Sequence, residues 1–362
     1  MPPSAGAAQV NKSDNVKLIQ NFKYEGGSDL DFSGKYVYAG QLGNDGGVHV
    51  LDVSGKKPKK VAFISCPGSQ NDVAVVKPGL LALGYHSSTC AAAPGSGVRL
   101  IDVKDPKRPR FLGQVQTPGG THTLTVYPGK PIIYASPGGL ANGGGTEQII
   151  DVSNPKKPEV VATFRLNPAG CHDLSFSITK ERKLAFCPGL TEIQVWDVSD
   201  PLAPLPIGHI ANPFMFFPHS AIATPDGQYL VVGDEAFAAH ECAAQGPTGS
   251  LYVYDITVPS APLLVGHFGP PRGAEPVGVL EWCTAHNYNF VPGTRILVSA
   301  WYTGGTSVID FANPTLPEEI AYFQPGNADT WSSYWYRGRI YANDLRRGLD
   351  VIEVKGLEEG KK

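Results

Sequence analysis

The chain has 362 residues, of which 42 are Gly and 32 are Pro, about a fifth of the whole against an ordinary share near ~12%. Thirty basic and 33 acidic side chains leave a formal charge of −3, which argues against a nucleic-acid or anionic-membrane surface. A hydrophobic content of 42% is enough for a large core, so the surplus of Gly and Pro predicts a turn-rich fold and not disorder, while the absence of a three-residue Gly period excludes collagen.

Residues 1–14 are expected to be a flexible segment, and with neither a basic stretch nor an apolar h-region they are not expected to act as a signal peptide. Residues 15–22, NVKLIQNF, read as a strand. From there one unit recurs: VHVLDVSGKKPKKVAFI, VRLIDVKDPKRPRFLGQV, EQIIDVSNPKKPEVVATF, IQVWDVSDPLAPLPIGHI, LYVYDITVPSAPLLVGHF, TSVIDFANPTLPEEIAYF and a truncated LDVIEVKG. Each unit is a strand, a turn and a strand, with an acid at one fixed place: Asp52, Asp102, Asp151, Asp197, Asp255, Asp310 and Glu353. The acids recur every 43 to 58 residues, the period of four-stranded propeller blades. Two further β-type runs separated by turn signals lie between copies, as in LTVYP and PIIYAS, so each unit supplies four strands. The seventh copy lacks its fourth strand, and residues 15–22 are expected to supply it, closing one all-β, seven-bladed domain over 15–356 with a flexible tail at 357–362. The repeated Asp is expected to cap the turn that follows it through its side chain. No apolar stretch reaches the ~18 residues needed to cross a membrane as a helix.

The repeated hydrophobic-x-hydrophobic-Asp-Val-x-x-Pro pattern resembles that of the LVIVD-repeat proteins over nearly the whole chain. The resemblance implies a seven-bladed propeller exported from the cell and implies no reaction.

First strands line the channel of a propeller, and four of them open on histidine: His122, His172, His219 and His286. Equivalent positions on neighbouring blades converge at the axis, and imidazole is a common ligand of transition metals, so one ion is expected there, Fe or Cu ahead of Zn or Mn. The alternative is a set of polar channel residues that bind water. Counting back from the turn Gly places Asp72 in the same column, where it is a candidate general base. The loops after the second strands open on the same face and carry Tyr85 and His86, the second candidate base Glu235 beside Asp234, and His240. Asp173 is expected on the opposite side of its strand, away from the ion. Phe214, Phe216, Phe217, Trp301, Tyr302 and Trp331 are expected to wall a pocket for a small apolar or aromatic substrate.

The six cysteines pair by position as Cys66–Cys90, Cys171–Cys187 and Cys242–Cys283, which implies an oxidising compartment and a secreted, periplasmic or cell-surface protein. These features together predict a monomeric metal-dependent enzyme, most simply an oxygenase or oxidase, with no nucleic-acid partner and no membrane insertion. A metal-dependent lyase or hydrolase at the same site and a non-catalytic binding propeller with a structural ion are the alternatives.

Overall fold

The computed structural model describes residues 10–69, 72–91, 94–138, 146–165, 170–189, 191–236, 248–272 and 282–360. Within them, seven antiparallel sheets follow one another along the chain in the expected order, four strands from each of the first six repeats and three from the last. The first blade is Gly27–Ser33, Tyr36–Gln41, Gly47–Asp52 and Lys59–Ser65, and the same meander recurs up to the seventh. Val16–Phe22 pairs with Gly348–Val354, from Val16 opposite Val354 to Phe22 opposite Leu349 with one register shift between Leu18 and Gln20, so the N-terminal strand completes the last blade and closes the ring.

Described residues near both ends make further contacts with the ring. Val10–Lys12 adds a fifth strand to blade six, opposite Phe323–Pro325. Leu357 is buried and the Gly360 amide donates to Pro292 O, so contacts with the ring extend as far as Gly360.

Every full repeat uses its Asp as expected. The carboxylates of Asp52, Asp102, Asp151, Asp197, Asp255 and Asp310 each accept the backbone N–H two residues on, at 2.7–3.0 Å. Just before each of them a β-bulge shifts the register against the fourth strand. In blades two, four and five, Gly113, Gly208 and Gly266 sit on that fourth strand, where a Cβ would collide with the Pro-containing turn of the next blade. Close stacking of blade on blade therefore requires glycine there.

Burial follows the ring. Among the described residues, apolar side chains form clusters that each join two neighbouring blades: Val48 and Val50 meet Leu81 and Leu83, and Tyr341 and Val351 meet Val37 and Leu51 across the closure. Cys66–Cys90 and Cys171–Cys187 are bonded as expected. Cys283 is disulfide-bonded as well; its expected partner Cys242 lies outside the described residues, as does His240.

Candidate metal centre

The first strands bring the four histidines to the axis side by side. Ring centroids are 4.1 Å apart from His122 to His172, 4.2 Å from His172 to His219 and 4.3 Å from His219 to His286, and Trp331 continues the arc 4.5 Å from His286. His86, which the sequence places only in a neighbouring loop, extends the arc at its other end, with Nε2 3.1 Å from His122 Nδ1. Glycine makes room for this pair: a Cβ on Gly138 would strike the His122 ring, and one on Gly120 the His86 backbone.

The four rings do not meet at one point. Neighbours on blades about 51° apart whose ring centres are ~4.2 Å from one another lie about 4.8 Å from the axis. That leaves an inward nitrogen more than ~3 Å from a central ion, beyond a metal–imidazole bond of about 2.1 Å. The donors gather instead into two overlapping groups, His172–His219–Glu235 and His122–His172–Asp173, in each of which the ligand atoms lie within 4.8 Å of one another.

Glu235, from the loop after the second strand of blade five, reaches the centre of the arc. Its Oε2 is 3.6 Å from His219 Nε2 and its Oε1 is 3.6 Å from His286 Nε2. These are too long for hydrogen bonds and close to the ~3.4 Å that separates two ligands of one tetrahedral ion. Tyr302 donates its phenol O–H to Glu235 Oε1 at 2.5 Å. Tyr302 is also one of two described non-glycine residues with positive φ, at 47°, a conformation that costs on the order of 1–3 kcal/mol and recurs at functional sites.

Asp173 contradicts its expected place. Its Oδ1 is 3.0 Å from His172 Nδ1, and its Oδ2 is 3.4 Å from His219 Nδ1, a buried nitrogen with no hydrogen-bond partner. The regular strand begins only at Ser175, so alternation of faces does not yet hold at residue 173. The ring nitrogens sort themselves accordingly. A neutral His286 must donate from Nδ1 to Trp331 O at 2.5 Å, which leaves Nε2 with its lone pair toward Glu235. Asp173 likewise takes the Nδ1–H of His172 and leaves Nε2 available.

Burial sets the protonation states. It holds His219 and His122 well below the usual imidazole range and lowers His286 to about 4, in each case ahead of neighbouring charges. It raises Glu235 to about 7, partly offset by His172 and by the Tyr302 hydrogen bond. Neutral imidazoles are the ligand form.

Asp72 is one level deeper than the histidine column. It pairs with Gly84 as Thr123 pairs with Ser136, because a bulge between Val75 and Lys77 takes up a residue that counting from the turn misses. Its Oδ1 accepts from Val73 N at 2.8 Å and its Oδ2 from Leu124 N of the next blade. Other residues at this level also strap blade to blade: Thr123 donates to His172 O, Ser220 to His286 O and Ser332 to Ser28 O. An axial cavity of about 150 Å³ lies here, lined by Asp29, Asp72, Asp173, His122, His219, His286 and Trp331 among others.

The six aromatic residues do not form one wall. Trp331 lines the cavity, Phe217 packs edge-on against His172 at 5.0 Å, and Tyr302 lies 4.8 Å from His286. Phe214 and Phe216 are 59% and 57% exposed. Trp301 is wholly buried in the core between blades five and six, against Phe268, which removes it from any pocket.

No family model matches the chain. Dynein axonemal assembly factor 10 of Chlamydomonas reinhardtii is 26% identical over 181 residues, 49% of this chain and 46% of that protein, so the match spans about half the length of the relative. Among solved structures, the β-propeller domain of Cps50 (Swd1) from Myceliophteria thermophila matches with a TM-score of 0.62 at 12% identity, over 94% of this chain and 100% of that one. A functionally unknown protein from Desulfotomaculum acetoxidans matches with a TM-score of 0.61 at 13% identity, over 82% and 84% of the two chains. At such identities the likeness is one of fold: the chain is a seven-bladed β-propeller.

Proposed function

We propose that this propeller is a metal-dependent enzyme whose ion is held by His172, His219 and Glu235, with His286 beside them, and that it oxidises a small molecule. The observation that carries the reading is the convergence of two imidazoles and a carboxylate, all buried, within 4.8 Å of one another, beside His122 and His286. Two histidines and one carboxylate with further positions open form the donor set of non-haem Fe(II) oxygenases, and imidazole-rich sites also suit Cu. Such an ion supplies redox and Lewis-acid chemistry at the coordinated atom.

The chain's own groups do the rest. Tyr302 holds one oxygen of Glu235 and leaves the other for the ion. Asp173 orients His172, and Phe217 and Trp331 shield the rings from water. Oxidation is favoured over lysis or hydrolysis because no candidate base is free: Glu235 sits among the ligands, and both oxygens of Asp72 accept backbone amides. The repeat pattern shared with LVIVD proteins and the bonded cysteines support export to an oxidising compartment.

Elemental analysis of protein purified without a metal-binding tag tests this reading. At least one equivalent of Fe or Cu is expected, and it should be lost in His219→Ala while the fold persists. Less than about 0.2 equivalents, unchanged after adding Fe, Cu, Mn or Zn, contradicts the enzyme and leaves a non-catalytic propeller.

A further inference from the structure

Lysine and arginine are unevenly shared among the repeats. The turns after the capping acids read SGKKPKK, KDPKRPR and SNPKKPE in blades one to three and hold ten cations, whereas SDPLAPL, TVPSAPL and ANPTLPE in blades four to six hold none. The formal charge of −3 conceals this segregation, so the charge of the whole chain does not speak for this face. Exposed apolar side chains collect on the same turns. Among the described residues, every large apolar side chain that stands well out into solvent lies in one of them or in the first three residues of the strand that follows, except Val10, Phe214 and Phe216. We propose that this face docks on an anionic lipid bilayer, with the cations of blades one to three on the headgroups and the apolar rim of blades four to six in the interfacial layer. It lies at the opposite end of the first strands from the histidine arc, so the inference does not rest on the metal reading.

Position, charge and exposure carry this inference together. All six turns join a third strand to a fourth, which puts them at one end of the ring. Each is packed close to the blade before it, as Pro155 and Lys156 are to Gly113 and Pro259 is to Gly208. Equivalent turns around one axis define a plane, which suits a flat partner. Of the ten cations, Arg108, Arg110 and Lys157 pair with Asp105, Asp102 and Glu159, and the rest make no ion pair among the described residues. Between blades two and three, a groove of about 500 Å³ is lined by Lys77, Lys104, Arg110 and Lys156, and its one carboxylate, Asp102, is tied to Arg110 at 2.9 Å. That charge suits a phosphate headgroup. On the other half of the face, Leu205, Leu263 and Leu316 are 63%, 65% and 64% exposed. A soluble polyanion would cover the cations and leave these leucines in water, whereas a bilayer meets both.

Vesicle sedimentation of the full, disulfide-intact chain tests the proposal. The chain should partition onto vesicles holding about 30 mol% phosphatidylglycerol and not onto pure phosphatidylcholine, and should lose ~10-fold or more in affinity between about 0.1 and about 0.5 M NaCl. Lys104→Glu, Lys107→Glu and Lys156→Glu combined should weaken partition ~10-fold or more, and so should Leu205→Gln, Leu263→Gln and Leu316→Gln combined, with the melting temperature unchanged. No partition of the parent chain onto the anionic vesicles overturns the proposal, as does partition that the lysine substitutions leave intact. Partition that the leucine substitutions leave intact overturns the bilayer as well and leaves a soluble polyanion as the partner. If either combined variant fails to fold, judged by its melting transition, Lys56→Glu with Lys57→Glu, or Leu316→Gln alone, serves in its place with an expected loss of ~3-fold or more. A chain that holds no metal leaves every arm of this test unchanged, so the two readings fail separately.

Discussion

Tyr302 gathers at one residue the features that mark this site. It is 3% exposed, its backbone is held at positive φ, and its O–H reaches Glu235. Tyr302→Phe keeps the ring and removes the hydrogen bond, so it should weaken metal binding ~10- to 100-fold with little change in melting temperature. Equal affinity in the variant would reduce Tyr302 to a packing residue. Glu147 gives a separate test of buried charge. It accepts from Ser136 and from Cys171 N, and burial raises its carboxyl from 4.5 to about 8. A raised acid holds its proton more tightly in the folded chain, so its share of stability is fully present below pH 4.5 and is lost as pH rises through about 8. Glu147→Gln should therefore flatten the fall of melting temperature across that window, and an unchanged slope would contradict the assignment.

Elements explain what could be read from the sequence and what could not. The turn-capping Asp was legible in six repeats because its hydrogen bond spans two residues and needs no tertiary context. The histidine column was legible because first strands open at equivalent places on the ring. Depth was not: the bulge at Val75–Lys77 lowers Asp72 by one level, and the late start of the strand at Ser175 lets Asp173 face the rings. His86 and Glu235 join the arc from loops that carry no strand period, and Trp301, the first residue after its strand ends, turns into the core. On the outer strands, glycine is set by the next blade. Gly208→Ala would drive a methyl into Pro259 O and should cost ~1–3 kcal/mol in chemical denaturation. A cost below ~0.5 kcal/mol would show that the blades can move apart without penalty.

At the scale of the whole molecule, closure turns seven marginal sheets into one cooperative unit. The closing strand contributes a full ladder with Gly348–Val354, and Asn21 reaches from it to Asp350 and to Arg347 O. Removing residues 1–22 should leave an exposed sheet edge and yield aggregates on size exclusion, whereas removing 1–14 should leave a monodisperse protein. Identical behaviour of the two truncations would deny Val16–Phe22 its role as the closing strand. The same closure holds neighbouring first strands at one spacing, which is why histidines from four blades stand in an arc and present overlapping donor groups. Anomalous diffraction from crystals grown with Fe, Cu or Co tests whether the arc holds a metal ion. A strong anomalous peak is expected within ~2.3 Å of nitrogens of His172 and His219 and an oxygen of Glu235. Crystals with intact side chains and no peak there, or with metal only at surface residues, would contradict it.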